Sequence, residues 1–401
     1  MGDEGFMQNI EPVSFWKWRV SYGVTGNRAI NPYQTLAALR AIDVLAIENG
    51  VPVNAITIDN VANENLSWES TAQLDIGVDI GLFNDRINVN MDYYNMVTSD
   101  LLFELPLPEY SGYPFQLTNI GKVENRGFEL TLNSRNISGE FIWDMGFNVS
   151  ANRNKILELP DGNDILYRSG PGHMVGLGDT QILREGEPVG VFYGWIYDGV
   201  YQEGDDFIEG GGFEQEAGGE RFRDIDSRDE NGELTGVPDG QLNNDDRTVI
   251  GDPQPDFIWG FNNDFRWKGF DLNVFFQASQ GNEIFNYTLM ELDLMAGRNN
   301  ATTAALDRWT PTNTNTDIPK ASGGRARRAS TRWIQDGSFI RLKNLALGYN
   351  IPKVILDRLN IRKLRVYVSA QNLLTFTDYE GYDPEVNYRS SGATNSNRNL
   401  G

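Results

Sequence analysis

The sequence predicts an all-β fold: an antiparallel transmembrane β-barrel portion of about nine long strands, with short turns on one side and long loops on the other. Three observations carry that prediction. Apolar residues recur at every second position over runs of about a dozen residues, a period near two rather than the helical value of about 3.6. The intervening positions are hydrophilic, so each strand has two faces of opposite character. Tight turns alternate along the chain with connections many times longer.

The elements follow in order. The first strand sets Trp18, Val20, Tyr22 and Val24 against Lys17, Arg19, Ser21 and Gly23. The second sets Ala72, Leu74, Ile76, Val78, Ile80 and Leu82 against Thr71, Gln73, Asp75, Gly77, Asp79 and Gly81. A third starts at Ile87, where Val89, Met91 and Tyr93 alternate with Asn88, Asn90 and Asp92. Phe128, Leu130 and Leu132 mark the fourth; Phe141, Trp143, Met145, Phe147, Val149 and Ala151 mark the fifth. The sixth carries Phe257, Trp259, Phe261, Phe265 and Trp267, and the seventh Phe270, Leu272, Val274, Phe276 and Ala278. Two weaker patterns complete the set: Phe339 to Tyr349, where Leu345, Leu347 and Tyr349 align, and Leu364, Val366, Val368 and Ala370.

Several of these runs exceed the usual strand of about 5–6 residues and reach the ~9–11 that cross a bilayer at a tilt. Trp16, Trp18, Tyr94, Trp143, Trp259 and Trp267 stand near strand ends, where interfacial girdles are expected. Alternation by itself also fits an antiparallel sheet with one solvated face. Strand length, the hydrophilic second face and the girdle favour the barrel.

Composition narrows the function classes. The 401 residues carry a net charge of −22, no cysteine and one histidine, His173. Such acidity argues against a nucleic-acid partner, which needs clustered Lys and Arg. Disulfide frameworks and thiolate zinc sites are excluded. No run approaches the ~20 apolar residues of a membrane helix, whereas alternating strands average out in hydropathy. Met1-Gly-Asp-Glu-Gly5 has neither the positive nor the apolar region of an export signal. The chain is therefore expected to be either cytoplasmic or an internal piece of a longer one.

Connection lengths sharpen the barrel reading. Phe83–Arg86, Asn136–Glu140 and Lys268–Gly269 are tight, while 25–70, 100–121, 154–255 and 281–337 are long. That asymmetry matches periplasmic turns and extracellular loops. A helical turn at Pro352–Leu359 falls on the short side. The fifth strand leaves a short turn and the sixth enters one, so an even number of crossings separates them. No second membrane-grade strand accompanies Val191–Tyr201, so 154–255 is expected to be wholly extracellular, with Val191–Tyr201 part of an external ribbon.

At this point the residues resemble the SusC/RagA-type TonB-dependent outer-membrane receptors of Bacteroidota. The carrying motifs include Arg19-Val-Ser-Tyr-Gly-Val-Thr-Gly-Asn27, Trp68-Glu-Ser-Thr-Ala-Gln-Leu-Asp-Ile-Gly77, Asp92-Tyr-Tyr-Asn95 and Asn119-Ile-Gly-Lys-Val-Glu-Asn-Arg-Gly-Phe-Glu-Leu130. Gly186-Glu-Pro-Val-Gly190, Phe192-Tyr-Gly-Trp195, Asp246-Arg-Thr-Val-Ile-Gly251, Lys268-Gly-Phe-Asp-Leu272, Gln371-Asn-Leu373 and Tyr379-Glu-Gly-Tyr-Asp-Pro-Glu385 continue them in the family's order. The resemblance runs from about residue 16 to 385. It implies import of oligosaccharides, or of peptides in some relatives, across the outer membrane with energy from TonB. It also implies a SusD-like surface lipoprotein as partner, and contact with outer-membrane lipid. By the same resemblance, residues 1–401 are a C-terminal barrel portion, incomplete at both ends, without the export signal, TonB-box region, plug domain or closing strand.

One stretch suggests an ion. A calcium loop offers oxygens at positions 1, 3, 5, 7, 9 and 12 around a glycine at 6. Asp224 and Asp226 supply positions 1 and 3; after an insertion, Asp239, Gly240, the Gln241 carbonyl, Leu242, Asn243 and Asp246 fall on 5, 6, 7, 8, 9 and 12. The expected ligand set for Ca²⁺ is thus Asp224, Asp226, Asp239, Gln241, Asn243 and Asp246, with the insertion closing where Ser227 meets Pro238. A solvated acidic loop is the alternative. No other cofactor is expected.

The remaining candidates are blander. Arg325, Arg327, Arg328 and Arg332 suit pairing with acidic loops better than a lipid-phosphate or acidic-partner site. His173 reads as a loop residue, and carboxylates are too numerous for spacing to single out a catalytic pair, so the chain is not read as an enzyme. Tyr110, Tyr113, Phe115, Tyr167 and Tyr382 suit either sugar stacking or loop packing. The rival function is a soluble or surface-attached calcium-binding adhesin of β-sandwiches.

Overall fold

A computed structural model describes residues 12–386, apart from 29, 31, 38, 49–50, 59–60, 108, 114, 120, 168–176, 230–233, 297–298 and 359. For 39–58, 104, 106, 109, 115, 161 and 167 it describes the backbone alone. Nine long strands form one sheet in sequence order. They are β1 (Val13–Asn27), β2 (Glu69–Leu82), β3 (Ile87–Ser99), β4 (Lys122–Ile137), β5 (Phe141–Glu158), β6 (Phe257–Trp267), β7 (Phe270–Gln280), β8 (Phe339–Asn350) and β9 (Arg365–Thr377). All the expected strands are present, and most extend past the pattern that announced them. The other sheets have two to four strands, so the long strands are not the two packed layers of a sandwich. In that order β1 and β9 stand first and last.

The chain divides into two compact units: residues 1–130 with 152–164 and 184–187, and residues 131–151 with 165–183 and 188–401. In the first, antiparallel register aligns like with like. Trp18 faces Val78, which faces Met91; Val20 faces Ile76, which faces Tyr93. One residue along, Arg19 faces Gly77, which faces Asp92, and Lys17 faces Asp79, which faces Asn90. A shift of one residue would exchange the two faces, so the alternation itself specifies this register.

The second unit repeats the scheme with aromatics. Phe147 lies beside Trp259 and Phe261, with centroids 6.5 and 6.4 Å away, and Phe265 stacks on Trp143 at 5.8 Å. Asn263 interrupts this apolar face; the Trp143 indole N–H donates to its Oδ1 at 2.9 Å, which removes most of the cost of a polar group there. The two-residue hairpin at Lys268–Gly269 has φ of 45° and 88°, the left-handed pair that matches strand twist. Gly269 takes the second position without strain.

The weak pattern in β8 has a physical cause. Leu342 opposes Phe276 and Asn344 opposes Phe275, leaving Lys343 as an extra residue. This β-bulge moves the apolar series from Ile340 and Leu342 to Leu345, Leu347 and Tyr349. The helical turn on the short side is α2 (Lys353–Asp357), entered through Pro352. A helix absent from the sequence reading, α1 (Tyr287–Asp293), lies in a long loop; the Asn286 side chain caps it by accepting from the Leu289 amide at 2.9 Å.

Two expectations need correction. Val191–Tyr201 is not one ribbon: Phe192–Trp195 pairs with Arg247–Gly251, whereas Tyr197–Val200 pairs with Glu220–Phe222. The break at Ile196 lets one segment serve two small sheets. Tyr94 is no girdle residue either, since its hydroxyl donates to Asn152 at 3.1 Å on the polar face.

Candidate functional site

The polar face of the sheet carries clusters of hydrogen-bonded and ion-paired side chains within each unit. In the first, Arg19 pairs with Asp79 at 2.8 Å and Asp92 at 2.9 Å, and the Asn90 amide donates to Asp79. The guanidinium crosses directly over Gly77, where a Cβ would stand 2.2 Å from the Asp92 carboxylate and 2.8 Å from Arg19. Ser21 and Gln73 donate to Asp75 at 3.2 and 2.8 Å. Farther along, Asn152 and Asn154 both donate to Asn125. In the second unit, Asp144 sits between Arg135 and Arg266. Asn273 donates to Asn262 and Asp264, and accepts from Asn344 at 2.7 Å. The hydrophilic face on which the sequence sets Asp75 and Asp79 agrees with these partners. The exposed surface of this face is therefore mostly amide and paired charge.

The segments between β5 and β6 and between β7 and β8 carry their own cores. Ile182, Val191 and Tyr193 form one; Leu177, Met290, Leu294, Ala329 and Trp333 form another. The arginine cluster cements them. Arg325 is buried and pairs with Glu214 at 2.9 Å, while donating to the Leu294 and Lys320 carbonyls. Arg332 pairs with Glu220 at 2.8 Å. Arg327 pairs with Glu291, and Arg328 lies over the Phe213 ring. Burial pushes the Glu220 carboxyl up, against the pull of Arg332 and Arg325. These arginines are structural, the blander of the two sequence readings.

The acidic loop is a knot of carboxylate-to-amide bonds. Asp224 accepts from the Asp239 and Gly240 amides at 3.2 and 2.6 Å. Asp226 accepts from Ser227, Thr235 and Gly236 at 2.7–2.8 Å. Asp239 accepts from the Gln241 amide, and Asn243 from that of Asp245. Asp246, fully buried, accepts from Ile225 at 2.9 Å and from Asn243 at 2.8 Å. Burial would raise the Asp226 carboxyl, but its three amide donors outweigh it and hold it low; for Asp246 burial wins and the carboxyl is raised. The insertion closes at Ser227 and Thr235, whose hydroxyls are 2.6 Å apart, rather than at Pro238. Among the described residues, no group of three or more His, Cys, Asp or Glu is arranged to hold a metal ion.

Of the loop aromatics, Tyr110 and Tyr382 are wholly exposed and Tyr113 is half-buried. The side chains of Phe115 and Tyr167, and all of His173, lie outside the described residues.

A family model described as TonB dependent receptor-like, β-barrel, matches residues 10–215, just over half of the chain. The chain belongs to the TonB-dependent receptor family. Within this family, TonB-dependent receptor P3 of Formosa agariphila is 48% identical over 405 residues, which cover 100% of this chain and 39% of the relative. TonB-dependent receptor SusC of Bacteroides thetaiotaomicron is 27% identical over 96% of this chain and 36% of its own length. The solved RagAB peptide transporter superposes with a TM-score of 0.79 at 28% identity, over 95% of this chain and 39% of that one. The chain thus spans well under half the length of these relatives, and the likeness is to TonB-dependent receptors of the SusC/RagA type. These relatives are receptors and transporters rather than enzymes. As a TonB-dependent receptor barrel, the chain lies in the outer membrane. None of its described helices is long and apolar enough to cross a membrane; the strands cross. For a barrel of this family, the apolar face carrying Leu74, Ile76, Val78, Phe147 and Phe276 is the one expected toward lipid, and the face of the Arg19–Asp79 and Asp264–Asn273 clusters the one expected toward the lumen.

Proposed function

We propose that this chain supplies wall, lumen lining and loop surface to a receptor that imports oligosaccharides, or peptides, across the outer membrane. In that receptor residues 1–401 form a C-terminal stretch of barrel and 154–255 a large extracellular region. TonB provides the energy, and a SusD-like surface lipoprotein covers the long loops. The likeness to SusC and to a RagAB structure over at least 95% of the chain carries this reading. The lumenal face supports it: amides such as Asn90, Asn262, Asn273 and Asn344 offer both donors and acceptors, as hydroxyl-rich solutes require. Deleting the receptor from its host and comparing uptake of oligosaccharide and peptide pools tests the activity. Affinity purification of the full receptor tests the partner, a surface lipoprotein that co-elutes. Unchanged uptake of every pool would refute the reading.

For the acidic loop we propose one Ca²⁺ held by Asp224, Asp226, Asp239, Asn243 and Asp246 with the Gln241 carbonyl. Hard oxygen donors suit that ion, and their turns draw both arms of the insertion together. An affinity at the weak end, about 10⁻⁴–10⁻³ M, suits Asp in place of Glu at the last position. Calcium titration of the purified receptor should show one site that Asp239→Ala removes. A silent titration leaves an amide-stapled loop.

A further inference from the structure

The chain does not leave the sheet when β9 ends. Residues 378–386 turn back onto the lumenal face of β7 and β8. Glu385 accepts from Gln277 at 3.3 Å and from Lys343 at 3.0 Å, and pairs with Arg341. Arg341, only 3% exposed, also binds Asp383 at 2.6 Å and the Thr375 hydroxyl at 3.0 Å. Gln335 donates to Glu380 at 3.0 Å. Gln277 lies three residues inside the long-loop end of β7, so the segment dips below the extracellular rim.

The clamp is charge-balanced, two cations against two carboxylates, and it leaves one large group unengaged. Tyr382, at the crest between the two anchors, has its whole side chain exposed (103% of the reference area). Among the described residues no hydrogen bond or ring contact holds it, while Glu380, Asp383 and Glu385 beside it are engaged. A phenol presented this way, in a chain of charge −22 and two residues from Glu380, repels anions and offers an open ring face.

We infer that residues 378–386 form an inward-folded strap that narrows the extracellular vestibule, and that Tyr382 on it stacks against an uncharged sugar ring of the incoming oligosaccharide. This rests on the importer reading above and adds a residue and a ligand class to it. Arg341 is the positioning residue. Its fork holds Asp383 and Glu385 together, which the single ammonium of Lys reproduces only in part.

The test uses the full-length receptor in its host, with starch-, laminarin- and xylan-derived oligosaccharide pools as probes and a Lys/Arg-rich peptide pool beside them. Tyr382→Ala should weaken apparent affinity for at least one neutral pool about five- to ten-fold, with an unchanged melting profile. Tyr382→Phe should restore it. Wild-type uptake of glycan pools, every one of which Tyr382→Ala leaves untouched, overturns the inference while the importer reading stands. Loss confined to the peptide pool overturns the sugar class. If the wild type imports no pool, the importer reading and the ligand class fail together. Placement of the strap is decided separately by Tyr382→Cys. A membrane-impermeant maleimide should label it on intact cells, and Arg341→Gln in the same background should change the labelling rate several-fold. Absent labelling, or a rate indifferent to Arg341, overturns the strap.

Discussion

Ile76 stands on the apolar face of β2, paired between Val20 and Tyr93, whereas Gln277 on β7 donates to Glu385. Arginine at Ile76 should cost about 2–4 kcal/mol, whereas Gln277→Arg should be nearly neutral; a urea folding titration of the two full-length variants reads the difference. Asp246 makes a second residue-scale case. Removing its carboxylate by Asp246→Ala strands the part-buried amides of Ile225 and Asn243, at a cost of about 1 kcal/mol or more, and limited proteolysis should find a new cut between 224 and 246. Asp226 sets the sign of the pH response. Its carboxyl is lowered on folding, so its contribution is complete above the ordinary carboxylate value and is lost as pH falls through the lowered one. The turn closed by Asp226 should resist protease above the ordinary carboxylate range and open only as pH falls below that range. The ligand-type spacing of this loop was legible in sequence; the engagement of its carboxylates by amides was not, because backbone donors leave no trace in residue type.

At the scale of the strand, two-residue periodicity located β1 to β7 because the register holds through each alternating run, the one shift in β1 falling at Val13–Phe15, ahead of the run that begins at Lys17. It faded in β8 because Lys343 is an inserted residue, and a bulge inverts the parity that the pattern depends on. This yields a contrast. Deleting Lys343 joins Leu342 to Asn344 and leaves a regular strand whose faces are intact, so the barrel should still form. Deleting Gly77 from the bulge-free β2 turns Leu74 and Ile76 toward the lumen and Asp75 toward lipid. Heat-modifiable gel mobility of the two full-length variants should be retained in the first and lost in the second. Short elements were illegible for another reason. The helix at Tyr287–Asp293 and the split at Ile196 are set by tertiary packing, not by any period long enough to read.

For the whole molecule, the barrel assignment predicts that the full-length protein is extracted only by detergent and migrates differently before and after boiling. A protein freely soluble in buffer with a single mobility would contradict it. The long loops predict something about inheritance. Glu214 meets Arg325, Glu220 meets Arg332, the strand of Trp195 touches Ser330, and Trp309 donates to Gln202. Hydrogen-bonded partners 107 to 112 residues apart in sequence are thus divided between the loops on either side of β6 and β7. A recombination breakpoint within those two strands would hand a descendant one half of each pair, with Arg325 buried against no carboxylate. Exchange of external specificity between related receptors should therefore move residues 188–256 and 281–338 together. A chimera carrying both should assemble, and one carrying either alone should be degraded, so the two loops are one heritable unit interrupted by a hairpin of wall.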